Sequence, residues 1–172
     1  MHTVGVLALQ GDVREHLQVL AELNCKAIEV RTPEQLAAVD ALVIPGGEST
    51  TILKLAQSFG MLSPLREAIA GGLPVLGTCA GLILLAKEIV DPASGQETFG
   101  GLDITVRRNA FGNQNDSFET VVQLEGLAEP MHVAFIRAPI VESVGDGVEV
   151  IASLPSGQIV GVRQQKVIGI SF

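Results

Sequence analysis

Residues 75–86 read VLGTCAGLILLA. A short apolar run leads directly to a cysteine and a second apolar run leaves it, with Gly77 and Gly81 two residues away on each side. Two such runs joined without a polar loop read as a buried strand turning sharply into a helix. Small residues suit that turn, because the backbone reverses direction in little space and lifts the central side chain to the carboxyl edge of a sheet. Cys79 is thus a candidate nucleophile for acyl transfer, and the N-terminus of the following helix is expected to favour its thiolate. A core cysteine beside helix-packing glycines fits the same residues.

The surrounding sequence supplies the sheet that such an elbow needs. Thr3–Leu9, Lys26–Val30, Ala41–Pro45 and LPVLG read as short buried strands, and helical runs separate them. This alternation predicts βαβ units and a parallel sheet. Val13, Leu17, Leu20 and Leu23 recur at helical spacing after Gly11-Asp12, and Thr32-Pro33 with Gln35 forms a capping box for PEQLAAV. TILKLAQSF is a third helix, Ser63-Pro64 opens a fourth over LREAIA that Gly71-Gly72 ends, and GLILLAKEIV is a fifth. From about Asp91 the pattern turns to strands: ITVRR, SFETVVQL, HVAFIRAP, VEVIASLP, QIVGVRQQ and KVIGISF carry few helix signals. The expectation is one α/β domain over 1–172, three-layered and flavodoxin-like. Its central sheet is mostly parallel with helices on both faces, and its C-terminal half is β-rich.

Composition agrees with one well-packed core. The 172 residues are 47% hydrophobic and 17% charged, and a chain of this size buries roughly 70% of its unfolded surface. A net charge of −8 with no Lys/Arg cluster argues against nucleic acid as a partner. No apolar run reaches the ~18 residues of a membrane span, and no signal peptide precedes the first strand. Cys25 and Cys79 are too few for a disulfide framework and lack metal-ligand spacing, so reduced thiols in the cytoplasm, with no metal and no cofactor, are expected.

A second strand-to-helix turn, IPGGEST at 44–50, offers backbone N–H groups to an oxyanion near Cys79. Gly46, Gly47 and Ala80 are the candidate donors. Gly-Gly after a strand is also found in plain turns. Two such loops on neighbouring parallel strands make a crevice of the kind where open α/β sheets bind ligands.

The blocks LALQGDVREH, PEQL, IPGGEST, GTCAGLILLAKEI, RNAFG with DSFE, and FIRAP stand in the order that resembles the glutaminase subunits of pyridoxal phosphate synthase, class I triad-type glutamine amidotransferases. The likeness runs over nearly the whole chain. It implies hydrolysis of L-glutamine to glutamate and ammonia through a Cys79 thioester. Gly47, Glu48, Ser49, Arg108, Ile136 and Arg137 would contact glutamine, and Gln10 and Gly11 would lie beside a synthase subunit of the PdxS/SNZ type that consumes the ammonia. The residue types suit that substrate, since glutamine's carboxylate and ammonium call for a cation and an acceptor. Asn113 stands where the family commonly has Arg, so any contact through that cation is expected to be missing.

In the same family the general base and its orienting acid lie in a His-Pro-Glu segment directly after the final SF. The sequence stops at Phe172, so that segment is expected to follow it, and a chain without it is expected to turn over little glutamine. Of the three histidines, His2 and His16 read as structural and His132 as the remaining substitute for the base. Two other readings stay open: a cysteine-elbow hydrolase or DJ-1-like protein, and a non-catalytic binding subunit.

Overall fold

The fold was analysed in a computed structural model that describes residues 2–111 and 117–172. Asn113 lies outside the described residues. The first half runs β1 (Thr3–Leu7), α1 (Val13–Glu22), β2 (Lys26–Val30), α2 (Pro33–Ala37), β3 (Ala41–Ile44), α3 (Ser49–Ser58), α4 (Leu62–Ala70), β4 (Val75–Thr78) and α5 (Ala80–Leu85). The second half runs β5 (Ala86–Val90), β6 (Leu102–Arg107), β7 (Phe118–Val122), β8 (Met131–Phe135), β9 (Ile140–Val144), β10 (Glu149–Ser153), β11 (Ile159–Gln164) and β12 (Val167–Ile170).

Nine strands form a continuous sheet in the order β2-β1-β3-β4-β12-β11-β9-β6-β5, with β10 added to β11, while β7 and β8 pair separately. The run β2-β1-β3-β4-β12 is parallel throughout. Beyond it β12, β11, β9 and β6 pair antiparallel. Successive residues of a strand point to opposite faces, and β4 shows what covers each. Thr78 reaches His16 of α1, whereas a side chain added at Gly77 would run into Gly81 and Leu85 of α5. Helices therefore sit on both faces, and the order of layers is that expected from the alternating first half.

Local signals hold where they are strongest. Thr32 and Gln35 close a complete capping box with Pro33 in the first turn of α2, and Gly71 and Gly72 end α4. Three details differ from the sequence reading. Met61, not Ser63, is the N-cap of α4, and Pro64 falls in the first turn, where its missing N–H has no helical partner to lose. The apolar stretch after Cys79 is helical only to Leu85; residues 86–90 are a strand parallel to β6, since Ile89 and Val90 fit an edge strand and Glu88 pairs with Thr105. PIVESV also forms a strand, β9, that joins β6 to β11.

The main core lies around β1, β3, β4 and the helices, with Leu7, Ile44, Ile52, Met61, Leu65, Leu82, Leu84 and Leu85 fully buried. A second, smaller core gathers Val122, Val133, Phe135, Val160 and Leu154, with Phe111 and Phe172 packed against it. No helix among the described residues is long and apolar enough to cross a membrane.

Candidate active site

The carboxyl ends of β1, β3, β4 and β12 converge on one edge of the sheet, and Cys79 stands there between β4 and α5. Its φ of 49° places a non-glycine residue in the left-handed region, a strained conformation of the kind that persists where the surroundings fix it. They do so here. The Cys79 N–H donates to the Ile170 carbonyl of β12 at 2.9 Å. An added Cβ at Gly77 would come within 2.7 Å of the Gly81 backbone, and one at Gly81 would strike the Ile44 carbonyl. The glycines that flag this stretch in the sequence are thus required by close packing of β3, β4 and α5.

Burial pushes the Cys79 thiol above its ordinary range; a hydrogen bond from the Ala80 N–H works against this, Asp12 adds to the rise and Arg137 opposes it. This corrects the expected thiolate. Helix α5 is only six residues long, and the hydrogen bond its Ala80 N–H gives the sulfur is opposed by the larger effect of burial.

The β3–α3 turn forms the adjacent wall. The Gly46 carbonyl accepts from the Asp12 N–H at 3.0 Å, and the Glu48 N–H donates to Gln10 Oε1 at 2.8 Å, so the loop after β1 braces both ends of the Gly-Gly turn. Glu48 is the N-cap of α3. Its carboxylate accepts from the Thr50 and Thr51 N–H groups at 3.3 and 2.8 Å and from both hydroxyls. Burial alone would raise this carboxyl, but those four hydrogen bonds hold it below its ordinary range. The acid expected to grip substrate is committed to its own helix. Ser49 is buried, and its Oγ accepts from Gln96 Nε2 at 3.0 Å.

The far wall comes from the ends of β6 and β8. Arg108, Asn109, Ala134, Ile136 and Arg137 line it, and a hydrogen bond of 3.0 Å from the Ala110 N–H to the Ala138 carbonyl joins the two loops. Asn109 and Arg137 share the left-handed conformation of Cys79, with φ of 48° and 47°. Neither Arg108 nor Arg137 forms an ion pair among the described residues, and Arg108 Nε is buried without a partner there. Two cations are thus available to an anionic group of a ligand.

Together these walls enclose about 550 Å³, in the size range of small-molecule sites. Cys79, Gly46, Gly47, Glu48, Ser49, Ala80, Arg108, Ile136 and Arg137 all line this one pocket. Gln10 does too, so it acts inside the site as well as at its rim. Gly11 stands behind it, packed so closely on Gly46 that a side chain would meet the Gly46 carbonyl. Asp12, Ile83, Asn109, Ala134, Ser171 and Phe172 also line the pocket and were not picked out by the sequence reading. Only position within the stretches LQGD, GTCAGLILLA, RNAF, HVAFIRAP and ISF could have pointed to them.

None of the three histidines lines the pocket. His2 is exposed beside Asp40 and His132 is exposed beside Glu119, which removes His132 as the substitute base. His16 comes nearest the elbow, its Nε2 lying 3.2 Å from Thr78 Oγ1, and burial lowers its pKa against the pull of Asp12 and Glu15. A second hollow of about 460 Å³ adjoins the start of β6, but its cations are paired, Arg66 with Glu97 and Lys87 with Asp103. No group of side chains with metal-binding geometry occurs among the described residues.

Comparison with known proteins draws these observations together. The model of the SNO glutamine amidotransferase family matches residues 6–172. A pyridoxal 5'-phosphate synthase subunit PdxT from Streptomyces avermitilis is 61% identical, over 98% of this chain and 84% of that one. The PdxT subunit of Leifsonia xyli subsp. xyli is 60% identical, over 98% and 86%. A solved structure described as a glutamine amidotransferase superposes with a TM-score of 0.91 at 50% identity, covering 98% of this chain and 88% of that one.

Proposed function

The chain belongs to the SNO glutamine amidotransferase family, and from that premise we propose that Cys79 opens the carboxamide of L-glutamine as nucleophile in the pocket described above. The protein is the glutaminase subunit of a pyridoxal 5'-phosphate synthase. The observation that carries the reading is convergence: the elbow cysteine, two backbone-rich turns and two arginines that form no ion pair among the described residues line a single cavity.

The Cys79 sulfur attacks the carboxamide carbon, and the oxygen charge that develops is met by N–H groups of the Gly46-Gly47 turn and Ala80. Collapse of the tetrahedral intermediate breaks the C–N bond, releases ammonia with a proton and leaves a γ-glutamyl thioester. Water then hydrolyses the thioester to glutamate and restores the thiol. Arg108 and Arg137 hold the α-carboxylate, while the backbone around Gly47, Glu48, Ser49 and Ile136 lines the rest of the substrate. The proton transfers call for an imidazole of the kind the family carries in its His-Pro-Glu segment, and Ser171 and Phe172 line the pocket wall where it would be needed. Because burial raises the pKa of the thiol, that imidazole is also the group to take the thiol proton. Ammonia passes to a synthase subunit of the PdxS type docked near Gln10 and Gly11, in the cytoplasm.

The test is a chain carrying the tail, assayed with the synthase subunit present. Cys79→Ser should abolish glutamine turnover, and a glutamine-like electrophile should label Cys79 ahead of Cys25. Arg137→Ala should lower kcat/KM roughly 10- to 100-fold, as expected for loss of a charge-assisted contact. Predominant labelling of Cys25 would overturn the assignment.

A further inference from the structure

Asp12 occupies the N-cap position of α1, where an aspartate ordinarily accepts from the first turn of its helix, yet its side chain makes no capping bond. It enters none of the ion pairs among the described residues. Its carboxylate turns instead toward the reacting centre. Oδ2 lies 2.8 Å from the point where a Cβ on Gly46 would stand, and the Cys79 Cβ lies 3.5 Å from that same point. The carboxylate and the nucleophile therefore flank one backbone carbon of the oxyanion-side turn, and both line the pocket. A residue that forgoes the bond its position favours, in order to face a nucleophile, is a local conflict of the kind found at functional sites.

The order of strands gives this charge a direction. β4 carries Cys79 and lies beside β3 on one side and β12 on the other. Asp12 stands on the β1–β3 side, and Arg108 and Arg137 come from loops on the far side. Glu48, the other acid lining the pocket, has its oxygens committed to Thr50 and Thr51. Among the described residues Asp12 is thus the carboxylate left without a partner on the nucleophile's side of the cavity, away from the arginines; the buried Ser171 Oγ is the other unpartnered polar group there.

We propose that Asp12 is a specificity-determining residue that makes the reacting end of the site prefer a neutral carboxamide over a carboxylate. It accepts an N–H from the substrate's carboxamide nitrogen and repels the γ-carboxylate of the glutamate product, which speeds clearance of that product. The inference rests on Cys79 being the nucleophile. It assigns the discrimination between glutamine and glutamate to a charge, where shape alone cannot separate two groups of nearly equal size.

Iodoacetamide and iodoacetate differ by the same carboxamide-for-carboxylate exchange, and both alkylate Cys79 without any partner subunit. Their second-order rates on the full chain, read at Cys79 and Cys25 by peptide mass mapping, give an amide-to-acid preference for each thiol. The fraction of thiolate affects both reagents alike and cancels in that ratio, so a change in thiol acidity cannot imitate the effect. Asp12→Asn should lower the preference at Cys79 roughly three- to tenfold, as expected for losing one partly screened charge at this range. The ratio at Cys25 should not move. Asp12→Ala should match Asp12→Asn, and Asp12→Glu should keep the wild-type ratio. An unchanged ratio at a reactive Cys79 in both uncharged variants overturns the role of Asp12 and leaves the nucleophile standing. Predominant labelling of Cys25 rather than Cys79 by a glutamine-like electrophile overturns the nucleophile and this inference with it.

Discussion

After β3 the chain turns through Gly46 and Gly47 into a ten-residue helix whose first turn is closed by the Glu48 carboxylate; after β4 it turns through Cys79 into a six-residue helix with no side-chain cap. Both turns deliver backbone N–H groups to one pocket. The first is closed by the Glu48 carboxylate of its own sequence and braced by hydrogen bonds from Gln10 and Asp12 of the loop after β1. The second is held by contacts from other elements: the Ile170 carbonyl, the Ile44 carbonyl against Gly81, and six buried residues of α5. The turn that holds Cys79 at positive φ takes its rigidity from the core, whereas the turn through Gly46 and Gly47 takes its from a side-chain cap and a neighbouring loop.

If that contrast is right, the two turns should break differently. Gly81→Ala places a methyl against the Ile44 carbonyl, a backbone atom that cannot step aside, and should cost about 3 kcal/mol or more in denaturant unfolding. Glu48→Ala removes one N-cap and should cost about 1 kcal/mol while leaving a cooperative transition. Equal losses in the two variants would erase the distinction.

The electrostatic side of the contrast is read by titration. Cys79 alkylation followed against pH should have its midpoint above that of an ordinary cysteine thiol, since burial raises it. Arg137→Ala should move the midpoint further up and Asp12→Asn should move it down, because these neighbours act with opposite sign. A midpoint below that of an ordinary cysteine thiol would mean that the short helix dominates after all.

The smallest effect concerns the face behind the elbow. The pKa of half-buried His16 lies below its ordinary value of 6.5. As pH falls through that value the unfolded chain takes up a proton that the folded chain still declines, so stability is lost on acidification; well above it this group contributes no slope. Unfolding midpoints at about pH 7.5 and 5.5 should differ by less in His16→Gln than in the wild type, and an equal drop in both would assign the acid sensitivity elsewhere.

Much of this architecture is legible in residue order. The elbow, the capping box of α2 and the alternation of the first half are carried by local chemistry: glycines at set spacing, a Thr-Pro-x-Gln start, apolar runs of strand length. The pocket residues from IPGGEST, RNAFG and FIRAP also come together as their motifs imply. What the sequence hid is what depends on distant partners. The strand after Leu85 is a strand because β6 lies beside it, and nothing in LLAKEIV says so. The thiol's acidity depends on burial, which a helix N-terminus in the sequence does not reveal. Glu48 looks like a ligand until Thr50 and Thr51 are seen to occupy it, and Asp12 looks like a cap until its carboxylate is seen to face Gly46.

One feature of the sheet bears on the order in which the molecule comes into being. β12 is the last strand in the chain, yet it lies in the middle of the sheet, and its Ile170 carbonyl anchors the Cys79 N–H. On a ribosome, Cys79 is synthesised some ninety residues before its anchor, on the order of 5–20 s at ordinary elongation rates. During that interval β1 to β4 can pair and pack, but the edge of β4 that will receive β12 stays open and the elbow is unlocked. The reactive geometry is therefore assembled only after the antiparallel half has been made, so a stalled or prematurely released nascent chain would carry the thiol without the site. Such a fragment would also expose the unpaired edge of a buried strand, which marks it for chaperones and proteases rather than for catalysis.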